Sequence, residues 1–135
     1  TVPEVDTFHD DRGGALRGTN TVRIFTAGGL SVAHLGDLGH QLTAEQAAAI
    51  GPVDAVLVPV GGVYTVDAAG AKAVCDALHP RCVVPMHYHH APYGLTEVDS
   101  VESFLELWPA EAVHHLQGAA FELTEQTAGV MVPSF

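Results

Sequence analysis

The run Asp54 to Val60 (DAVLVPV) constrains the fold more than any other stretch of this chain. It is almost continuously apolar, which is how a strand buried on both faces of a sheet reads. Arg81 to Met86 repeats the pattern. Between the two, Val66 to Leu78 places apolar residues near Ala69, Ala73, Val74 and Leu78, as a helix does. Strands alternating with helices indicate a layered α/β fold.

The remaining elements fit that frame. Val2 to Phe8 alternates loosely and reads as a strand, and Asp10 to Asn20 is a loop rich in glycine and charge. Thr21 to Ala27 and Leu30 to Leu35 flank Gly28-Gly29, a hairpin signal. Thr43-Ala44-Glu45-Gln46 has the form of a capping box, opening a short helix that Gly51 is placed to stop. Ser100 to Leu107 predicts another short helix, with Val101, Phe104, Leu105 and Trp108 on one side. Phe121 to Thr124 and Val130 to Val132 are expected to be two closing strands. With 135 residues and no repeat or linker, one domain is expected over 1–135.

Charge narrows the partners. Sixteen acids against five bases give a formal net charge of −11. Neither a nucleic-acid backbone nor an anionic membrane is the expected partner, because both call for basic patches. A small-molecule substrate is, and even an anionic one is compatible if a bound dication reverses the local field. No run approaches the ~20 apolar residues of a membrane span. Cys75 and Cys82 are too few for a disulfide framework and read as reduced, buried thiols. No signal peptide is visible, and a cytoplasmic location is the expectation.

Three strand ends carry the chemistry. Leu30 to Leu35 runs into His34-Leu35-Gly36-Asp37-Leu38-Gly39-His40, an aspartate fenced by glycines. Phe8-His9-Asp10-Asp11 and Met86-His87-Tyr88-His89-His90 follow two other strands. Imidazole nitrogen and carboxylate oxygen are good ligands for Zn²⁺, and loops after strands hold such groups within small tolerances. Ordinary loop residues, with Asp37 as a helix cap, would read the same from spacing alone.

The order of five blocks is more specific. Phe8-His9-Asp10-Asp11, Arg17-Gly18-Xaa-Asn20-Thr21, the block from His34 to His40, Pro59-Val60-Gly61-Gly62-Val63-Tyr64-Thr65, and Pro85-Met86-His87-Tyr88 follow one another along the chain. Together they resemble the metallo-β-lactamase superfamily, in particular its UlaG-like branch of metal-dependent hydrolases, which includes ascorbate-phosphate lactonase. The resemblance implies an αββα sandwich, of which this chain matches the second half. It implies that His9, Asp37 and His87 are metal ligands, with Asp37 bridging two metals and Asp37 and His9 at the catalytic centre. The cofactor implied is one or two zinc ions, with manganese or iron as alternatives. The reaction implied is hydrolysis of a small ester, lactone or phosphoester by a metal-bound hydroxide.

Around that set, Tyr64, His40 and Arg17 are candidates for substrate binding. Tyr64 could meet an oxyanion and Arg17 a phosphate or carboxylate; His40 could instead support a ligand from behind. Asp10 or Asp11 could orient the His9 ring. His34 is expected to pack within its strand, and His89, His90, His114 and His115 to lie at the surface.

The superfamily's signature His-Xaa-His-Xaa-Asp-His is absent from these residues. The chain is therefore expected to be the C-terminal portion of the fold, with an apolar sheet face that calls for a complementing N-terminal half or a second copy. Hydrolysis by these residues alone is not expected. The rival reading is a non-catalytic fragment or interaction module; a cupin-like barrel fits poorly with the helices between buried strands.

Overall fold

In the computed structural model, which describes residues 2–135, the chain builds one mixed sheet of seven strands. Strands β1 (Glu4–Phe8), β2 (Thr19–Ala27) and β3 (Leu30–His34) form an antiparallel meander. Strands β4 (Ala55–Pro59), β5 (Cys82–Met86), β6 (Val113–His115) and β7 (Gly129–Val132) extend it in parallel, in the spatial order β1-β2-β3-β4-β5-β7-β6. Gly28 and Gly29 both take positive φ at the β2–β3 turn, which is why that pair signals a hairpin.

Helices α1 (Ala44–Ile50) and α2 (Ala68–Leu78) connect β3 to β4 and β4 to β5. The Thr43 capping box is complete: Gln46 N–H donates to the Thr43 hydroxyl and the Gln46 side chain receives the Thr43 N–H. Asp67 caps α2 by accepting the Gly70 N–H at 2.8 Å. Ala68, Ala71, Val74, Cys75 and Leu78 are buried along one stripe of α2. They pack with Val22, Ala33, Val56, Val58, Val83 and Val130 in the main core, on one side of the sheet.

Because strand side chains alternate, Ala55 and Leu57 of β4 and Cys82 and Val84 of β5 face the other way. There Ala55, Cys82 and Met131 form a smaller cluster flanked by Val32, Val84, Leu116 and Leu123. Phe25, directly opposite Val32 and 47% exposed, extends that face toward solvent. The chain thus has one helix-covered face and one thinly covered apolar face.

Two expectations need correction. Phe121–Thr124 is not a strand: the Thr124 N–H donates to the Thr127 hydroxyl and the Thr124 carbonyl receives Arg81, so the segment curls into a turn. The outer neighbour of β7 is instead β6, over Val113–His115, a three-residue strand too short to show a period. The Ser100–Leu107 helix shrinks to α3 (Glu102–Leu105), which buries Phe104. Cys75 and Cys82 are free and buried as expected; burial pushes their thiols up to about 12 and about 11. Among the described residues, no helix is long and apolar enough to cross a membrane.

Candidate functional site

Strands β1, β3, β4 and β5 run in one direction, so their carboxyl ends share an edge of the sheet. Open α/β sheets place ligand crevices at that edge. Here it holds a cavity of about 370 Å³ whose walls include His9, Asp37, Tyr64 and His87. Three blocks scattered over some eighty residues of sequence therefore meet around one space.

His9 leaves the end of β1 on a tightly held backbone. Its N–H donates to the Gly18 carbonyl at 3.0 Å. The preceding Phe8 carbonyl receives the Gly39 N–H at 2.9 Å, and the Phe8 N–H donates to His40 Nε2 at 3.1 Å. The Asp10 carboxylate, 1% exposed, receives the N–H groups of Arg12, Gly14, Leu16 and Arg17 at 2.6–2.8 Å. Four such bonds, that from Arg17 foremost, hold its carboxyl far below the usual carboxylate range. Gly39 closes the mount: a Cβ there would overlap the His9–Asp10 peptide.

Asp37 is placed by Asn20, whose Oδ1 receives the Asp37 N–H at 2.9 Å. The Asn20 amide donates in turn to the Leu35 carbonyl and the Thr7 hydroxyl, both at 2.9 Å. One side chain at the start of β2 therefore locks the ends of β1 and β3 together.

His87 stands differently. Its φ of 58° lies in the left-handed region, sparsely populated by side chains other than glycine and asparagine. Its Nδ1 lies 3.2 Å from Asp37 Oδ1, and both side chains are about half exposed. Its carbonyl presses on Gly61, where a Cβ would collide with it.

Of the three candidates for substrate binding, Tyr64 lines the cavity. Its hydroxyl donates to Glu97 at 2.7 Å, and that carboxylate raises the phenol's pKa. Arg17 lies over the Tyr64 ring, 5.4 Å from its centroid, and reaches the cavity only through it. His40 is not among the lining residues. Both of its ring nitrogens are committed to backbone, Nε2 to Phe8 and Nδ1 to the Gln41 carbonyl at 2.7 Å, so it braces the His9 loop.

Neither Asp10 nor Asp11 orients the His9 ring, since Asp10 is spent on backbone and exposed Asp11 lies 4.0 Å from Arg12. His34 packs half-buried in β3 and accepts the Gly36 N–H at 3.1 Å; burial, chiefly, lowers its pKa. His114 and His115 are exposed on β6. The sequence pointed to neither Tyr88, Leu95 nor Val98, which complete the cavity wall from the irregular segment after β5. Asn20 and Gly39 were visible in the quoted blocks, but their partners were not.

Two imidazoles and a carboxylate suit a divalent transition metal. Their chemistry fits, yet the shell is open: among the described residues, no three His, Cys, Asp or Glu side chains converge closely enough to hold an ion by themselves.

The comparisons place the fold in a family. The model of the beta-lactamase superfamily domain matches residues 1–87. A UPF0173 metal-dependent hydrolase of Carboxydothermus hydrogenoformans is 36% identical over 75 residues, 56% of this chain and 33% of that protein. One from Hyperthermus butylicus is 31% identical over 99 residues, covering 71% and 42%. In structure, a candidate Zn-dependent hydrolase of the metallo-β-lactamase superfamily from Thermotoga maritima matches with a TM-score of 0.83 at 37% identity, covering 98% of this chain and 63% of that one. The chain thus spans a third to two fifths of these curated relatives and under two thirds of that structure.

Proposed function

The chain belongs to the beta-lactamase superfamily, and on that premise we propose that it carries part of the centre of a metal-dependent hydrolase of small esters, lactones or phosphoesters. The observation that carries the reading is the meeting of His9, Asp37 and His87 around one cavity at the carboxyl edge of the sheet. Relatives named metal-dependent hydrolases support it. The five sequence blocks support the finer placement in the UlaG-like branch, and two reduced, buried thiols suit the cytoplasm.

In this reading His9, Asp37 and His87 hold the metal, zinc first and manganese or iron as alternatives. When bound, such a dication lowers the pKa of water toward neutrality and polarises the scissile carbonyl or phosphoryl group. The chain's own residues do the positioning. Asn20 fixes the Asp37 backbone, the loop locked by Asp10 and His40 fixes the His9 backbone, and Tyr64 keeps its proton as a neutral donor once its bond to Glu97 is exchanged for a substrate oxygen. The open shell calls for donors beyond these 135 residues, and the apolar face around Val32, Val84 and Phe25 calls for a cover. A complementing N-terminal half supplies both most simply; a second copy is the alternative partner.

The test is hydrolysis of p-nitrophenyl esters and phosphoesters by zinc-loaded protein to which a complementing N-terminal half has been added. Turnover that disappears with a chelator and in Asp37→Asn is expected. Turnover that survives either treatment contradicts the reading. Zinc binding without turnover of any substrate would favour the interaction-module reading, which the open ligand shell supports.

A further inference from the structure

We propose that this cavity seats the carbon-rich part of a neutral ester or lactone, with Tyr88, Leu95 and Val98 as the wall that selects it. The proposal rests on the hydrolase reading for where the reacting bond lies, at the His9, Asp37 and His87 side of the same space.

A volume of about 370 Å³ suits a small molecule. Apart from the three candidate ligands, much of the wall is carbon: Tyr88, Leu95 and Val98 from the segment after β5, and the ring of Tyr64. Leu95 is 55% exposed, an apolar side chain left open at the cavity. The segment is held there by the Gly61 carbonyl, which receives the Asp99 N–H at 2.9 Å, and by the Asp99 carbonyl, which receives the His89 N–H at 2.9 Å. An apolar wall on an anchored loop stabilises a ligand in proportion to the carbon it covers.

The cations point the same way, because none lines the cavity. Arg12 lies by Asp11, Arg23 by Glu4, Lys72 by Asp76 and Arg81 by Asp54. Arg17, the fifth, is spread over the Tyr64 ring. A phosphoester would bring anionic oxygens against this carbon wall, near Glu97, in a chain of net charge −11. A neutral ester or lactone meets no such cost. Its hydrolysis adds water across the acyl C–O bond, giving a carboxylate, a proton and an alcohol, or one hydroxy acid from a lactone, with no change of oxidation state.

The experiment titrates the chain with γ-decalactone, γ-butyrolactone and phenyl phosphate, reading the methyl ¹H–¹³C shifts of Leu95 and Val98. Saturable shifts with γ-decalactone are expected, with γ-butyrolactone roughly tenfold weaker and phenyl phosphate weaker still. Leu95→Gln should weaken γ-decalactone by roughly tenfold with an unchanged melting curve; Val98→Ala gives an independent reading at the same wall. Phenyl phosphate shifting these methyls as strongly as γ-decalactone, or no shift with any probe, overturns the proposal. Preferred turnover of phosphoesters by zinc-loaded protein overturns it too, while sustaining the hydrolase reading. Shifts confined to the lactones, with no turnover of any ester, sustain the apolar seat and count against the hydrolase reading.

Discussion

His9 and His87 face the same cavity from opposite kinds of support. The His9 loop is held by backbone hydrogen bonds to Gly18 and Gly39, by the His40 ring and by a carboxylate that gathers four N–H groups. His87 follows β5 on a left-handed backbone, half exposed, with Asp37 as its near neighbour. The backbone on the first side is locked by many hydrogen bonds. On the second the His87 carbonyl lies against Gly61 and its ring beside Asp37.

That contrast can be broken first at Gly39. Gly39→Ala drives a Cβ into the His9–Asp10 peptide, so we expect the largest effect: a loss of about 3 kcal/mol in chemical denaturation and no zinc retained. Gly61→Ala is the matching change on the other side. It should cost about 1–3 kcal/mol, by displacing the His87 carbonyl and Val98, and weaken zinc by about tenfold in a competition titration. If the two variants behave alike, the asymmetry between the two sides is wrong.

Asn20→Ala tests the link between Asp37 and the β1 end. Losing three hydrogen bonds should cost about 1–3 kcal/mol and weaken zinc by about tenfold, with the amide of Asp37 exchanging faster with deuterium.

Asp10 gives a pH test. Its folded pKa is depressed, so its contribution is complete above the unfolded value of about 3.9 and is lost as pH falls from there toward the lower folded value. Protection of the Arg12, Gly14, Leu16 and Arg17 amides should weaken on acidification below pH 4. In Asp10→Asn it should be weak already at neutral pH and change little with acid. The smallest effect belongs to His40→Ala, about 1 kcal/mol, with a disturbance confined to the amides of Phe8 and His9.

Much of this was legible from local signals. The Gly28-Gly29 hairpin, the Thr43 capping box and the two buried runs each depend on residues near in sequence, and each appears where expected. Helix α2 forms as well, but its buried stripe runs through Ala68, Ala71, Val74, Cys75 and Leu78 and leaves the expected Ala69 and Ala73 exposed. So does the meeting of His9, Asp37 and His87, because their strands share a direction. What escaped depends on distant partners. Three-residue β6 has no period of its own, and Phe121–Thr124 looks like a strand until Arg81 claims its carbonyl. His40 reads as a group aimed at substrate until its nitrogens find Phe8 and Gln41. Leu95 and Val98 sit in a segment whose only ladder contacts are the isolated bridges His89–Ser100 and His90–Tyr93, so nothing periodic marks them as a wall.

The measurement that bears most directly on the central claim is metal content by elemental analysis of zinc-equilibrated protein, compared with Asp37→Asn and His87→Ala. Zinc near one equivalent per chain, with solvent filling its open shell, lost in both variants while their melting curves stay close to the parent's, is the predicted result. Zinc retained in full by both variants would contradict the assignment of Asp37 and His87 as ligands. No zinc in the parent would mean that the three side chains at this edge do not suffice to hold the metal.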